Sequence, residues 1–174
     1  RALRGFSVGA YTVCTALLGL VLLFGTTVRG TTGWFVLGPL ALQPVEFMKL
    51  GMVLMLASYF ARARLRAGTG KRIGISALIV FPPVVLTLLQ PDAGSALVLV
   101  LVWLLLLMPQ LTWRARGTVV GAACLAAVMS WFFLLQPYHR ARIMVLLQPS
   151  RDPFGTGYNI RQSIIAVGSG KLFG

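Results

Sequence analysis

The stretch FSVGAYTVCTALLGLVLLFGTTV, residues 6–28, carries no charged side chain and exceeds the roughly 20 residues that cross a bilayer as a helix. A second uncharged stretch, AGSALVLVLVWLLLLM at residues 93–108, is apolar on every face from residue 97 onward, whereas a helix of a soluble core would show a polar stripe. The first stretch is too long for the apolar part of a secretory signal and lacks a small-residue cleavage site. Both stretches therefore predict retained membrane spans.

The composition agrees with a membrane protein. Of 174 residues, 57% are hydrophobic and only 11% are charged, whereas about a quarter are charged in an ordinary soluble domain. A transmembrane barrel is excluded, because its strands would alternate apolar and polar residues. We predict an all-α polytopic membrane protein with five spans, in which Pro82 and Pro83 kink the third. The spans cover about residues 6–28, 43–60, 73–90, 93–110 and 117–135, and residues 136–174 begin a large extracytoplasmic loop.

The net charge of +13 does not indicate a nucleic-acid partner. The basic residues lie between apolar spans instead of forming a patch interleaved with exposed aromatic residues, so membrane lipids are the expected surroundings. Cys14 and Cys124 both fall inside apolar spans without metal-ligand spacing. They are interpreted as small packing residues, and neither a metal site nor redox chemistry is predicted.

The basic residues also predict an orientation, because connectors on the cytoplasmic side of a membrane carry the excess of Lys and Arg. They cluster in the connectors after the second span and before the fifth, and Arg1 and Arg4 agree with that side. The loop at 29–42, the turn at 90–92 and the tail at 136–174 are therefore predicted to face outward. The basic residues of the two connectors are Arg62, Arg64, Arg66, Lys71, Arg72, Arg114 and Arg116.

The outward tail is too polar and too rich in turn residues for a sixth span, and we predict a surface loop at the lipid interface. Its basic residues face a single acid, Asp152, which an anionic ligand would explain; the alternative is that the charge bias is weak in long loops. His139 has no acid or nucleophile beside it in sequence and is interpreted as solvated or structural. The glycine-rich segments at 68–71 and 168–171 lack the spacing of a phosphate-binding loop. The basic residues of the tail are Arg140, Arg142, Arg151, Arg161 and Lys171.

Two of the three acidic residues lie at or inside the outer ends of predicted spans, where an unpaired carboxylate costs at least a few kcal/mol. Glu46 and Lys49 share one face of the second span and are predicted to pair. The pair either holds spans together or takes part in function. Asp92 follows Pro91 in a helix-start pattern, so it either only caps the fourth span or also positions a cation or a basic partner. The sequence shows no evident cofactor site, and it leaves open whether a divalent cation takes part.

Three segments carry a family resemblance in the same order along the chain. GPLALQPVEFMK at 38–49 is similar to a stretch ending in Gln-Pro-Ser-Glu-x-x-Lys, and QPDAG at 90–94 is similar to a Gln-Pro-Asp-x-Gly turn. DPFGTGYN at 152–159, with QSIIAVGSG at 162–170, resembles a large outer loop. Together they resemble the SEDS family (shape, elongation, division and sporulation), which includes RodA, FtsW and SpoVE. The details of the third segment are more similar to RodA than to FtsW.

The resemblance implies a fold of roughly ten membrane helices, of which this chain holds five. It implies a peptidoglycan glycosyltransferase of the bacterial cytoplasmic membrane, with its reactive side outside the cytoplasm, that polymerises lipid II during cell elongation. Lipid II is an undecaprenyl-pyrophosphate-linked precursor, and the implied partner is a class B penicillin-binding protein. Cations can stabilise the charge that develops on a pyrophosphate leaving group, and Arg140 and Arg142 are the candidates for this role.

By the same resemblance, Glu46, Lys49 and Asp92 match polar positions that line the family's outward cavity, and Trp34 matches a Trp of the preceding loop. Two departures concern this region: Gly33 stands where an Arg is usual, and Val45 replaces the Ser after Gln-Pro.

The resemblance implies that the general base belongs to a His-Thr-Asp stretch that follows the third segment. This stretch would lie beyond Gly174, so no catalytic residue is assigned in this chain. Since the sequence starts with Arg1 and stops at Gly174 inside a glycine-rich motif, we expect a fragment that is inactive alone.

Two other function classes stay open. Kinked spans and intramembrane charges would also suit a transporter that moves lipid-linked precursors across the bilayer. A scaffold that recruits the wall-synthesis complex without catalysis is the other alternative. The acid of the downstream His-Thr-Asp stretch discriminates between these two classes and the polymerase, because a whole protein without it would not support the polymerase.

Overall fold

The computed structural model of the chain describes residues 2–28, 31–38, 40–66, 68–134, 140, 144–145 and 156–170. Within these residues, five helices are long and apolar enough to cross a membrane, which confirms the five predicted spans. Their membrane-compatible windows are Gly5–Phe24, Pro44–Ala63, Thr69–Leu89, Ala93–Gln110 and Trp113–Phe132.

The described helices fall into two compact units, Arg1–Arg116 and Gly117–Gly174, with the division inside the fifth helix. A short 3-10 turn, Met108–Gln110, extends the fourth helix, and a π-helical turn, Ser130–Leu134, extends the fifth. The helices are α1 (Ala2–Phe24), α2 (Pro44–Arg66), α3 (Thr69–Leu89), α4 (Ala93–Leu107), α5 (Trp113–Met129) and α6 (Thr156–Gly170).

The first helix ends earlier than predicted. The sequence places the span at 6–28, but α1 stops at Phe24, and the following residues form strand β1 (Thr26–Val28). Gly25 closes the helix by donating its N–H to the carbonyl oxygen of Val21 at 2.8 Å. A Cβ at this position would collide with the same oxygen, so the closure requires glycine. The run of β-branched residues after Gly25 suits a strand better than a helix.

The segment between α1 and α2, predicted as a loop, folds into a small antiparallel sheet. Strand β2 (Thr31–Leu37) lies between β1 and β3 (Leu40–Leu42). Thr26 pairs with Trp34, and Phe35 pairs with Leu42. Gly38 makes the turn between β2 and β3 with a φ of +63°, a conformation that glycine adopts without strain.

Helix α2 is the centre of the first unit. Five apolar residues that recur every three or four positions along it are buried, as expected for one face of a helix surrounded by neighbours. Gly51 lies against α1, because a Cβ there would be 3.4 Å from the Sγ of Cys14, an ordinary van der Waals distance. Close packing on small residues is the usual way in which membrane helices associate. The buried residues of the stripe are Val45, Met48, Met52, Leu56 and Phe60.

Helix α3 continues through both of its prolines. Pro83 has no N–H, so the carbonyl oxygen of Ile79, four residues before it, loses its helical donor. The hydroxyl of Tyr11, on α1, donates to this oxygen at 2.6 Å. A side chain of a neighbouring helix thus supplies the hydrogen bond that the proline removes, which is how prolines are tolerated within membrane helices.

Replacing Tyr11 by Phe is expected to lower the free energy of unfolding by about 1–3 kcal/mol, the cost of leaving a partly buried carbonyl without a donor. Thermal unfolding in one detergent measures this. Tyr59→Phe is the control, because the Tyr59 hydroxyl donates to the carbonyl oxygen of Lys71 at an exposed position (3.1 Å), where water can replace it. Equal losses in both variants would contradict the role given to Tyr11.

The first unit has two chemically different ends. The strand end contains the sheet, the start of α2 and the turn at 90–92; the basic end contains the end of α2, the start of α3 and the segment 107–116. Alternating helix directions bring these parts together.

In the second unit, the structure shows a helix where the sequence predicts a surface loop. Helix α6 covers Thr156–Gly170 and includes the glycines at 168 and 170. The side chain of Val167 is 79% exposed and those of Ile164 and Ile165 are also exposed. Among the described residues, α6 is not one of the helices that are long and apolar enough to cross a membrane.

Candidate functional site

The turn from Gln90 to Asp92 organises the strand end. The backbone N–H groups of Gln90 and Asp92 both donate to the carbonyl oxygen of Thr87, at 3.1 and 3.2 Å. The chain therefore reverses tightly between α3 and α4, and it brings two polar side chains to the same end of the bundle.

Gln90 connects this turn to two other elements. Its side chain is only 1% exposed, and its Nε2 donates to the carbonyl oxygen of Leu18 on α1 at 3.1 Å. Its own carbonyl oxygen accepts the N–H of Thr32 on β2 at 3.2 Å. One residue thus fixes α1 and the sheet to the turn that carries Asp92.

Asp92 caps α4, as the sequence predicts. Its Oδ1 accepts the N–H of Ser95 at 3.0 Å, and its Oδ2 accepts the hydroxyl of Ser95 at 2.6 Å. A second contact goes beyond capping, because the Nε2 of Gln43, immediately before α2, donates to Oδ2 at 3.3 Å. The half-buried carboxylate is therefore held in one orientation between the starts of two helices.

Glu46 and Lys49 form the predicted ion pair, with 2.6 Å between Oε1 and Nζ. The Glu46 side chain is 56% exposed and that of Lys49 is 27% exposed. The backbone N–H of Glu46 donates to the carbonyl oxygen of Gln43 at 3.1 Å. Gln43 therefore joins the pair to Asp92, and these four residues are called the strand-end cluster: Gln43, Glu46, Lys49 and Asp92.

The exposure of the pair predicts a small structural contribution. Exposed ion pairs typically contribute less than about 1 kcal/mol to stability. The double variant Glu46→Gln, Lys49→Met should therefore unfold within about 1 kcal/mol of the wild type, as measured by thermal unfolding. A loss several times larger would assign the pair the structural role of holding spans together.

Trp34 lies on β2, half-buried, and its carbonyl oxygen accepts the hydroxyl of Thr26 at 3.1 Å. The neighbouring Gly33 is buried, and a Cβ there would lie 3.1 Å from the Oε1 of Gln90. Because Gln90 is almost fully buried, a larger residue at position 33 would have to displace its amide. The structure thus gives a physical reason for glycine at this position.

The structure describes only one of the two candidate arginines of the tail. Arg140 belongs to the second unit, where its Nη2 donates to the carbonyl oxygen of Phe132 in the π-helical turn at 3.1 Å. Its Nε is buried, with no hydrogen-bond partner among the described residues. Arg142, His139 and Asp152 lie outside the described residues, so their predicted positions stay predictions.

The sequence indicates four of the residues at the strand end but not the two glutamines that connect them. Gln43 and Gln90 stand inside the motifs, yet their partners lie 49 and 72 positions away in sequence. In the sequence, the only sign of this connecting role is a polar amide side chain next to a long apolar span. Across the described parts of the chain, no three His, Cys, Asp or Glu side chains come together as a metal site.

With this geometry established, comparison with known proteins adds the family context. A family model described as cell cycle protein, that of FtsW, RodA and SpoVE, matches residues 1–174. The chain is 37% identical to the peptidoglycan glycosyltransferase MrdB of Escherichia coli (strain K12) over 175 residues, covering 100% of this chain and 47% of that protein. The chain therefore spans about half the length of the curated relatives that it matches.

Two solved structures are similar to the fold. One is described as "Structural coordination of polymerization and crosslinking by a peptidoglycan synthase complex"; its TM-score is 0.71 at 39% identity, with 95% of this chain and 49% of that chain covered. The other is the crystal structure of the Thermus thermophilus rod shape determining protein RodA, with a TM-score of 0.60 at 38% identity, covering 74% and 42% of the two chains. Both agree with the predicted polytopic helical fold.

Proposed function

Because this chain belongs to the family of FtsW, RodA and SpoVE, we propose that the protein containing it is a peptidoglycan glycosyltransferase that polymerises lipid II. The name of the MrdB relative supports this activity. Polymerisation during cell elongation is the specific role that we propose, since a RodA structure is among those similar to the chain.

One structural observation carries the proposal for this part of the protein: a carboxylate and an ion pair meet at the same end of the bundle. Gln43 joins Asp92, through its side chain, to the first turn of α2, which contains Glu46. Preorganised polar groups near a low-dielectric region stabilise developing charge without reorganisation during the reaction. The cluster suits the positioning of a polar, anionic lipid headgroup against a reacting sugar.

The residues of the cluster have positioning roles in this proposal. Lys49 supplies a positive charge for a phosphate oxygen, and Glu46 fixes the Lys49 side chain. Asp92 accepts hydrogen bonds from sugar hydroxyl groups, and Trp34 offers a flat surface to the sugar. Arg140 and Arg142 balance the charge of the pyrophosphate leaving group. The general base lies in the part of the protein that follows Gly174.

The proposed surroundings complete the assignment. The strand end faces outward from the bacterial cytoplasmic membrane, and the basic end faces the cytoplasm, because of the positive charge of its connectors. The partner is a class B penicillin-binding protein that cross-links the strands; the similar structure of a peptidoglycan synthase complex supports such an assembly. A divalent cation, where one takes part, would meet the pyrophosphate together with Asp92.

The test is lipid II polymerisation by the purified whole protein with every other transglycosylase absent. Glycan strands resolved by gel electrophoresis are the expected product. Labelled lipid II that crosses a vesicle bilayer, without any strand, would instead support the transporter. If the protein neither forms strands nor transports lipid II, the remaining function is a scaffold that recruits the wall-synthesis complex.

A further inference from the structure

Two arginines of the first unit converge on one turn at its basic end. The Nη1 of Arg72, at the start of α3, donates to the carbonyl oxygen of Gln110. The Nε of Arg116, on α5, donates to the carbonyl oxygens of Met108 and Leu111, at 3.0 and 3.1 Å. These carbonyls terminate α4, where a helix lacks donors and its dipole is negative. Both guanidinium groups therefore lie beside the same four-residue segment.

Capping by these arginines satisfies carbonyl groups but does not neutralise two positive charges. The sequence contains three acids, and none of them falls within residues 47–91 or 93–116. Glu46 is paired with Lys49, and Asp92 caps the opposite end of α4. The first unit thus provides no acidic side chain at its basic end, so an anion bound there would meet no negative charge from this unit.

The hydrogen bonds of the two guanidinium groups leave donors for an external acceptor. Arg116 uses its Nε for the backbone and has an exposed side chain, so its terminal Nη groups face the surroundings. Arg72 donates through Nη1 to Gln110 and through Nη2 to the hydroxyl of Thr69 at 3.4 Å, and each of these nitrogens carries one further N–H. Its Nε is buried, without a hydrogen-bond partner among the described residues. The second N–H of each Nη group is the donor that a bound anion can accept from.

Aromatic residues place this turn at the level of lipid headgroups. Trp113 is the first residue of α5, three positions before Arg116, and it is 84% exposed. Tyr59 lies at the same end and donates its hydroxyl to the backbone of Lys71. Exposed Trp and Tyr at helix ends mark the membrane interface, where phosphate groups are concentrated. A lipid phosphate therefore fits this position better than an acidic protein does.

We propose that the basic end of the first unit binds the phosphate of an anionic phospholipid headgroup between Arg72 and Arg116, with Trp113 at the acyl-chain boundary. Basic pockets between helices bind anionic headgroups in this way. The site is at the opposite end of the helices from the strand-end cluster, so it goes beyond the proposed polymerase function and does not depend on it.

The experiment uses the whole purified protein in detergent with phosphatidylglycerol or phosphatidylcholine, and native mass spectrometry counts the lipids that stay bound. The wild type should retain phosphatidylglycerol in preference to phosphatidylcholine. The variant Arg72→Gln, Arg116→Gln should bind phosphatidylglycerol about tenfold more weakly. Inorganic phosphate at the same concentration should not displace the lipid, because the acyl chains also contribute.

The variant Arg62→Gln, Lys71→Gln removes the same charge from the same end and should change binding by less than about twofold. Equal losses in both double variants, equal retention of the two lipids, or displacement by inorganic phosphate would overturn the proposal. Arg72→Lys, Arg116→Lys keeps the charge without the planar fork and should bind at an intermediate level. If the glutamine variant unfolds, the lysine variant is used in its place. A lysine variant that binds phosphatidylglycerol as tightly as the wild type would also overturn the site.

Discussion

Asp92→Asn is expected to reduce lipid II polymerisation by about a hundredfold while the protein keeps its thermal stability. Asn is as good an N-cap as Asp, so α4 retains its start. What changes is the charge and one acceptor of a carboxylate that Gln43 and Ser95 hold in place. A loss of two orders of magnitude corresponds to about 2.7 kcal/mol of transition-state stabilisation. Initial rates of strand formation and the unfolding temperature measure the two effects.

The control for this variant is Ser95→Ala, which removes the hydroxyl donor to Asp92 but keeps the carboxylate and the backbone N–H. It should lower stability slightly and retain most of the activity. Full activity of Asp92→Asn would mean that capping is the only role of Asp92, the alternative that the sequence leaves open.

Gln90→Ala is the second change with a large expected effect. It removes the donor to Leu18, empties a fully enclosed space and loosens the turn that carries Asp92. Loss of a buried hydrogen bond and creation of a cavity together should cost about 2–4 kcal/mol. Thermal and denaturant unfolding in one detergent measure the cost, and polymerisation should fall with it because β2 loses its contact with the turn.

Gln110→Ala is the matched control at the basic end. The Oε1 of Gln110 is buried without a hydrogen-bond partner among the described residues, so its removal relieves a desolvated group and should cost less. A Gln90 variant as stable as the Gln110 variant would contradict the role given to Gln90.

The features that the sequence predicts well are those with a local physical cause. Apolar length predicts five spans, the spacing of three predicts the Glu46–Lys49 pair, and Pro91 before Asp92 predicts the cap. The end of α1 is missed because threonine and valine after Gly25 extend an uncharged run, and hydropathy does not distinguish a strand from a helix there. The collision of a Cβ with the Val21 oxygen is visible only in three dimensions.

The remaining features depend on contacts between distant parts of the chain. The bonds of Gln43 to Asp92 and of Gln90 to Leu18 join residues far apart in sequence, so no local pattern contains them. The hydrogen bond from Tyr11 to Ile79 is similar: the prolines predict a carbonyl without a donor, but not the helix that supplies one. In α6, three glycines within or at the end of the segment favour a loop by propensity, yet the backbone is helical.

The central claim is that Gln43 and Asp92 act as one unit in polymerisation, and a double-mutant cycle tests it most directly. Strand-formation rates of the whole protein are measured for Gln43→Ala, Asp92→Asn and the double variant at matched folding. If Gln43 acts by orienting Asp92, the expected losses are about tenfold and a hundredfold, and the double variant loses no more than Asp92→Asn alone. Losses that multiply to about a thousandfold in the double variant would mean that the two residues act independently and would contradict the account.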